Sequence, residues 1–276
     1  MDIIIDGEKI KYSKEYKFKT IGKQEIKILL YENINMDYMF KDVEQLISIE
    51  IDFFLYSCKI ISMISAFENC KNLNELKIIE IDASNLKSMK KLFYNSNIKT
   101  FYFSMNNSNN LEDISYMFAK TNFIDFSFNG LNTNSVTNMS HLFEDCSSLQ
   151  SVNLNEISTK NVKDMSYMFN SCSSLKELNF ENVDTSQVIN MSNMFQGCIS
   201  LTNLHINNID TSKVEDMSFM FYNCDGLENL DISNFETKNV KDVSYMFTFC
   251  KHLTSLKTLI LKKLNQLQVY LNHVIN

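Results

Sequence analysis

A phenylalanine recurs along most of the chain at almost constant spacing. Nine such residues are separated by gaps of 27, 26, 25, 25, 26, 26, 26 and 26 residues: Phe40, Phe67, Phe93, Phe118, Phe143, Phe169, Phe195, Phe221 and Phe247. Repeats of this length are typical of solenoids, in which one repeat buries its apolar face only against its neighbours. We therefore expect about nine stacked coils over residues 35–258, with one continuous core. The first four coils are degenerate in sequence, and the pattern is regular from Val136 onward.

Within one regular repeat, the hydrophobic period changes from helical to extended. Five apolar residues follow the spacing i, i+3, i+6, i+7 and i+10: Val188, Met191, Met194, Phe195 and Cys198. This spacing predicts one face of a short helix, and the preceding Asp184-Thr185-Ser186 is expected to satisfy the first free N–H groups of that helix. The following 201–206 segment, Leu-x-x-Leu-x-Ile, predicts a short strand. Stacked coils then give an α/β solenoid, a curved rod with a parallel sheet and one short helix per repeat.

The two ends of the chain fall outside the repeat. Residues 1–34 include an alternating segment, Tyr16–Leu30, around Gly22, which predicts a β-hairpin. We expect this hairpin to cap the open N-terminal end of the core, because terminal repeats need a polar outer face. Residues 259–276 are expected to form the C-terminal cap. The alternative for this apolar segment is a dimerisation helix, which predicts a monomer or a weak dimer.

Seven cysteines raise the question of disulfides, and their spacing argues against pairing. Five of them are 26 residues apart and occupy one repeat position: Cys146, Cys172, Cys198, Cys224 and Cys250. Side chains in one column point the same way, which is a poor geometry for a disulfide. The spacing also lacks the C-x-x-C pairs of zinc sites. We expect free thiols that fill the core, with no metal ion bound.

Charge and hydropathy exclude some classes of function. The formal net charge is −7, whereas nucleic-acid binding needs a basic surface. The sequence as written shows no secretion signal and no apolar run long enough to span a membrane. It therefore predicts a cytoplasmic protein, or a cell-surface protein if a leader is missing from the sequence.

No arrangement of residues predicts catalysis. The four histidines, His141, His205, His252 and His273, lie at different repeat positions and do not recur with a nucleophile or carboxylate. The phosphate-binding, nucleophile-elbow and metalloprotease motifs are absent. We expect a non-enzymatic protein without a cofactor, and the extended surface of a solenoid favours binding of another protein.

The outward positions of the predicted sheet form a polar stripe, which is the first candidate surface for a protein partner. Its residues are Asn153, Asn155, Glu177, Asn179, Glu181, Asn203, His205, Asn207, Asn229, Asp231 and Ser233. The same positions would be occupied by polar residues if the stripe were only the solvated side of the sheet. A second candidate surface lies on the predicted helical side, where aromatic residues occur outside the core columns: Tyr167, Phe219, Tyr222 and Tyr245.

The regular repeat reads Val-x-Asp/Asn-Met-Ser-x-Met-Phe-x-x-Cys-x-x-Leu-x-x-Leu, as in residues 188–204. This phrase resembles the repeat of BspA-type leucine-rich repeat surface proteins, a mycoplasma-lipoprotein-type repeat family, over roughly residues 35–258. The resemblance implies a leucine-rich-repeat-like solenoid and an adhesin that binds host or matrix proteins. Family repeats often carry Trp before the Thr, where this chain has Ile157, Val183, Ile209 and Phe235. The leader and lipobox cysteine expected of a surface protein are not seen, so adhesion is the alternative to a general interaction scaffold.

Overall fold

The computed structural model describes residues 2–5, 8–10, 26–29, 33–52, 59–128 and 131–257. Fourteen strands lie in these ranges: β1 (Asp2–Ile5), β2 (Glu8–Ile10), β3 (Ile26–Leu29), β4 (Ile34–Asn35), β5 (Ser48–Asp52), β6 (Ile60–Ser62), β7 (Glu75–Asp82), β8 (Thr100–Asn106), β9 (Asp125–Phe126), β10 (Ser151–Val152), β11 (Glu177–Asn179), β12 (Asn203–His205), β13 (Asn229–Asp231) and β14 (Ser255–Lys257). Within these residues no helix is long and apolar enough to cross a bilayer.

The coils stack through parallel strands on one side. Strands β5, β7 and β8 form one parallel sheet, and the pairs β9–β10, β11–β12 and β13–β14 continue the same type of pairing. In the regular coils the register joins equivalent residues, as in Leu178 with Leu204, 26 residues apart. The strands are longest where the sequence repeat is most degenerate, with eight residues in β7 and seven in β8.

The phenylalanines predicted from the repeat form a single stack through the core. Successive ring centroids from Phe40 to Phe247 lie 5.2 to 6.0 Å apart, and every neighbouring pair is stacked. Phe67 to Phe221 are fully buried, Phe247 is 2% exposed, and Phe40 packs partly buried against the cluster. The prediction of one continuous core is confirmed, because the stack joins nine coils without a break.

The predicted helix of each repeat is wrong: no helix forms in the described residues. The segment that starts at Met165 and ends at Cys172 is a run of turns. Its alternate N–H groups donate to carbonyl oxygens of the next coil at 2.7–3.0 Å: Met165 to Asn190, Tyr167 to Ser192, Phe169 to Met194 and Ser171 to Gln196. The N–H groups of Met168, Asn170 and Cys172 donate three residues back, and that of Ser166 donates to the Asp164 carboxylate. An α-helix would instead direct every bond four residues back along its own axis.

Two residues per coil adopt left-handed backbone angles, which makes this bonding possible. In the coil of Phe169 they are Tyr167, with φ of 57°, and Ser171, with φ of 60°. A left-handed residue other than glycine costs about 1–2 kcal/mol. The hydrogen bonds to the adjacent coil hold the backbone in this conformation, so stacking and turn geometry depend on each other.

The polar cluster assigned to a helix N-terminus has a different role. The Thr185 hydroxyl donates to the carbonyl oxygen of Asp210 in the next coil, and it accepts from the Asp210 N–H, both at 2.8 Å. Thr211 makes the same two contacts with Glu236. The Asp184 carboxylate accepts the N–H of Ser186 at 3.0 Å, which closes a local turn. The cluster therefore joins coils.

At the N-terminus, β1 lies between β2 and β3 in an antiparallel sheet. Most of the predicted hairpin around Gly22 lies outside the described residues, and only its second limb, β3, is described. The function of residues 1–34 as a cap stays a prediction. The predicted C-terminal cap and dimerisation segment, 259–276, lies entirely outside the described residues.

Candidate interaction surfaces

The predicted polar stripe lies on the outward side of the strands, and we call it the sheet face. Nine of its eleven residues are exposed, while Asp231 and Ser233 are partly buried. Strand β12 shows the alternation that places them there, since Asn203 and His205 are exposed and Leu204 between them is partly buried. The role of these residues in binding stays a prediction.

Some residues of the sheet face have a structural role. The Asn179 side-chain oxygen accepts the N–H of Glu181 at 2.7 Å, and Asn153 accepts the N–H of Asn155 at 3.0 Å. Asparagine and aspartate favour such turns because their side chains reach the N–H two residues on. Asn203, His205 and Asn229 make no side-chain hydrogen bond within the described part of the chain, so their side chains are available to a ligand.

Asp231 is the most electrostatically perturbed residue of the sheet face. Its carboxylate lies 2.8 Å from the Lys257 ammonium and accepts a 2.6 Å hydrogen bond from the Ser233 hydroxyl. Both contacts lower the pKa of Asp231, to about 2, and the contact with Lys257 has the larger effect. The carboxylate is therefore ionised at neutral pH, and its charge is paired with a lysine on the next coil.

The other side of the solenoid carries the turn segments, and we call it the turn face. Hydrogen bonds on the turn face explain the Asp/Asn-Met-Ser part of the sequence repeat. The Asp or Asn before each Met-Ser accepts the serine N–H, as Asp164 does from Ser166 at 2.9 Å and Asp216 from Ser218 at 2.8 Å. The same residues form isolated parallel bridges between successive coils, including Asp164 with Asn190. The acidic or amide side chain thus starts the turn segment.

In six described coils a cysteine closes the turn segment, and these residues form the cysteine column. Each thiol donates to the carbonyl oxygen of a phenylalanine in the preceding coil, as Cys198 does to Phe169 at 3.1 Å. All six described cysteines are free and buried, so the prediction of free core thiols is confirmed for them. Burial raises the pKa of Cys198 to about 12 and that of Cys146 to about 11. These thiols stay protonated at neutral pH, which makes them poor nucleophiles and poor metal ligands.

A column of rings runs along the turn face at the first left-handed position of five coils. We call it the ring column, and its members are Tyr116, His141, Tyr167, Phe219 and Tyr245. The rings of Tyr116 and His141 are 4.0 Å apart, those of His141 and Tyr167 are 4.4 Å apart, and those of Phe219 and Tyr245 are 4.8 Å apart, with interplanar angles of 7° to 20°. The sequence pointed to several of these aromatics, but the stacking follows from the left-handed turns.

Lysines gather at the N-terminal end of the ring column. The Lys91 ammonium lies 5.1 Å from the Tyr94 ring and 5.3 Å from the Tyr116 ring. Lys90 and Lys120 lie 5.9 and 5.4 Å from one or the other of these rings. Contacts of this kind contribute about 0.5–1 kcal/mol at exposed sites. The N-terminal end of the turn face is therefore basic and aromatic, although the net charge of the chain is negative.

The left-handed backbone has a sequence signal that the helical interpretation missed. Among the described residues nineteen carry it, namely Asn107 and two in each of nine coils from Tyr38 to Phe249, and none of them is valine, isoleucine or threonine. Branched side chains are the ones least tolerated at positive φ. The second position of each coil also favours asparagine, aspartate and glycine, including Asn95, Asp145 and Gly197. Those are the residues that enter this region most readily.

The described residues contain no group of three or more His, Cys, Asp and Glu side chains that could hold one metal ion. The expectation that the protein uses no metal or cofactor stays a prediction. What the geometry does provide is two long surfaces of different chemistry, fixed to one rigid core.

Stacked coils of about 26 residues, a parallel sheet on one side and hydrogen-bonded turns on the other define a β-solenoid repeat protein. The chain belongs to the family described as Mycoplasma protein of unknown function, DUF285, whose model matches residues 33–151, 94–179 and 174–273. The family resemblance predicted from the repeat phrase is confirmed by this match. A comparison with curated proteins found no match.

Several solved structures are similar to the chain. A leucine-rich repeat protein from Bacteroides ovatus is 20% identical, with a TM-score of 0.43, over 88% of this chain and 74% of that protein. A leucine-rich repeat protein from Eubacterium ventriosum is 15% identical, with a TM-score of 0.32, over 84% and 79%. A leucine rich cell surface protein from Faecalibacterium prausnitzii is 13% identical, with a TM-score of 0.28, over 91% and 87%. Similarity at this level does not bear on function.

Proposed function

We propose that the chain is a non-catalytic scaffold that binds another protein through the sheet face. The observation that carries the proposal is the stripe of mostly exposed polar residues at equivalent positions of four successive coils. Because the phenylalanine stack fixes the coils to one another, the stripe is presented with little loss of conformational freedom on binding. Pre-organisation of this kind favours affinity, since fewer side chains and loops have to be ordered in the complex.

The middle of the stripe is the part of the sheet face best suited to contact. Asn203 and His205 in β12 and Asn229 in β13 are exposed, and they make no side-chain hydrogen bond to another described residue. A partner therefore gains their amide and imidazole groups without breaking a structural contact. By contrast, Asn179 and Asp231 are engaged in turns and an ion pair, so their replacement would change the fold as well as the surface.

The experiment that tests the proposal is affinity capture with variants chosen on this distinction. Asn203→Arg and Asn229→Arg each place a long charged side chain on the sheet face. Asn208→Arg is the matched control, because Asn208 is also exposed but is not one of the sheet-face residues. We expect a partner that wild type and Asn208→Arg retain from the native cell and that the sheet-face variants lose. Equal retention by all four proteins would reject the sheet face as the binding surface.

A further inference from the structure

The basic end of the turn face is a compact cluster of lysines and tyrosines, and we call it the basic patch. Its members lie in the coils of Phe67, Phe93 and Phe118: Lys71, Lys90, Lys91, Tyr94, Tyr116 and Lys120. The rings of Tyr94 and Tyr116 are 6.3 Å apart and meet edge to face. The Lys91 ammonium lies 5.1 Å from the first ring and 5.3 Å from the second, so it joins the two rings in one group.

Three more ammonium groups converge on the same two rings. Lys90 lies 5.9 Å from the Tyr116 ring, and Lys120 lies 5.4 Å from the Tyr94 ring. Lys71 donates a hydrogen bond to the side-chain oxygen of Asn95, the residue that follows Tyr94. Positive charges brought this close to one pair of rings repel one another, and their summed field attracts a negatively charged group.

Lys90 and Lys91 are the lysines of the patch best placed for a ligand. Within the described residues neither of them forms an ion pair, whereas Lys120 lies 3.8 Å from the Asp145 carboxylate. The backbone of Lys91 is fixed, because its N–H donates to the Ser115 carbonyl of the next coil at 2.9 Å. Two positive charges are therefore held in place without a carboxylate partner.

The carboxylates nearest to the patch in sequence are engaged elsewhere. Glu68 pairs with Lys41 at 3.1 Å, and Asp113 accepts a backbone N–H of its own turn at 2.8 Å. Glu112 adjoins Lys87, whose carbonyl accepts the Glu112 N–H at 2.9 Å. None of these three carboxylates forms an ion pair with a described lysine of the patch, so its charge is not neutralised from within the fold.

Further acidic residues limit the length of the patch. The preceding coil carries Asp37 and Asp42, and the coil that follows carries Glu144 and Asp145. The patch therefore covers two coil intervals, or roughly 10 Å at about 4.8 Å per parallel strand. An extended peptide covers that length with about three or four residues, at about 3.3 Å per residue. This length suits a short anionic segment better than a long polyanion.

The segments of this chain that lie outside the described residues do not supply the missing negative charge. Residues 11–25 contain five lysines and two glutamates, and residues 258–276 contain two lysines and no acidic residue. Residues 53–58 contain no charged residue. Charge complementarity therefore points to a separate molecule.

We propose that the basic patch binds a short acidic segment of a partner protein, with two or more Asp or Glu side chains within three or four residues. The carboxylates pair with the Lys90 and Lys91 ammonium groups, and complementary charge speeds and orients the encounter. A nucleic acid or an anionic membrane is disfavoured, because its longer run of negative charge would also meet the carboxylates of the flanking coils on a chain of net charge −7. The site is on the turn face and does not depend on the sheet-face proposal.

The test uses a blocked Glu-Glu-Trp-Glu-Glu peptide, with blocked Gln-Gln-Trp-Gln-Gln as the uncharged comparison. The chain contains no tryptophan, so indole fluorescence reports on the peptide alone. We expect the full chain to bind the glutamate peptide saturably at low ionic strength and at least about tenfold more tightly than the glutamine peptide. Binding should weaken as salt is added, because salt screens exposed charges.

The patch variant carries Lys90→Ser and Lys91→Asn, and it should bind the glutamate peptide at least about tenfold more weakly. Both new residues occur at the same repeat positions elsewhere, as Ser192 and Asn193 show, so the turn segment should still form. If this variant fails to fold, Lys120→Asn removes another charge of the patch and should weaken binding instead. Asn95 holds the equivalent position on the preceding coil.

A matched control removes the same number of charges outside the patch. Lys163→Thr combined with Lys176→Thr replaces two exposed lysines by the residue that Thr137 and Thr202 show at these positions, and it should leave binding unchanged. The proposal is overturned if wild type does not bind the glutamate peptide, if the glutamine peptide binds equally well, if the control loses as much affinity as the patch variant, or if a folded patch variant binds like wild type. Tighter binding of pentathymidylate or of phosphatidylserine vesicles than of the glutamate peptide would also overturn it.

Discussion

The sheet face and the turn face of the regular coils are built in different ways. On the sheet face, strands of two or three residues pair along a simple register, and the outward side chains vary from coil to coil. On the turn face, Asp or Asn side chains, left-handed residues and cysteine thiols make the same contacts on successive coils. The regularity of the sequence therefore belongs to the turn face. The sheet face has fewer structural constraints, which leaves its residues free to specify a partner.

We expect the largest difference in stability between variants of the two faces when a core residue of each face is truncated. Phe195→Ala removes a fully buried ring that is stacked on both sides, so we expect a loss of about 3–5 kcal/mol in the free energy of unfolding. Leu204→Ala, on the sheet side, removes a partly buried side chain and should cost less than half as much. Urea denaturation of both variants measures the difference. Equal losses would mean that the faces contribute equally to the core.

A branched side chain should also affect the two faces differently. Gly197 has φ of 74°, so Gly197→Val forces a branched residue into the left-handed region and should cost about 1–2 kcal/mol or more. Asn203→Val introduces the same residue into exposed strand β12, where branched residues are favoured, and should change stability by less than about 0.5 kcal/mol. Thermal and urea unfolding check both values. A tolerated valine at 197 would be inconsistent with the left-handed turn.

High pH should lower the free energy of unfolding, because the buried thiols of the turn segments lose their protons. The pKa of Cys198 is raised by burial from its ordinary value of 9.0 to about 12 in the folded protein. Its contribution is therefore fully present below about pH 9 and is lost as pH rises towards 12. Between pH 9 and 11, stability should fall less steeply in Cys198→Ala than in wild type, by about 1.4 kcal/mol for each pH unit. Parallel pH profiles would show that this thiol titrates normally.

Low pH should lower the free energy of unfolding by a smaller amount, because Asp231 on the sheet face becomes protonated. The Lys257 ammonium and the Ser233 hydroxyl lower the pKa of Asp231 from 3.8 to about 2. The stability that this carboxylate contributes is present above about pH 4 and is lost as pH falls through 2. Wild type should lose stability over this range relative to Asp231→Asn, as measured by urea unfolding at several pH values. The effect is small because the pair is on the surface.

The sequence predicted the phenylalanine stack, the strands of the regular coils and the free thiols, because these follow from an apolar residue at a fixed repeat position. It did not predict the turn segment correctly. Apolar residues at Met191, Met194, Phe195 and Cys198 match a helical period, and periodicity does not record where the backbone N–H groups bond. The signal that distinguished the two was the absence of branched residues at the left-handed positions.

The two candidate surfaces were predictable to different degrees. The sheet face could be derived from alternation along each strand, as at Asn203 and His205. The ring column of the turn face could not, because it depends on which residues of different coils become neighbours. His141 and Tyr167 are ordinary residues of two repeats until the stacked turn segments place their rings 4.4 Å apart.

The central claim is that the turn segments contain left-handed residues whose N–H groups bond to the next coil. The difference in stability between a glycine and an alanine variant at Ser171 tests this claim most directly. Both Ser171→Gly and Ser171→Ala remove the hydroxyl that donates to the Asn170 side chain, so their difference reports on backbone conformation. With φ of 60°, the glycine variant should be more stable than the alanine variant by about 1 kcal/mol in urea denaturation. If the segment were helical, the alanine variant would be the more stable by about 1 kcal/mol, and that result would contradict the turn-face structure.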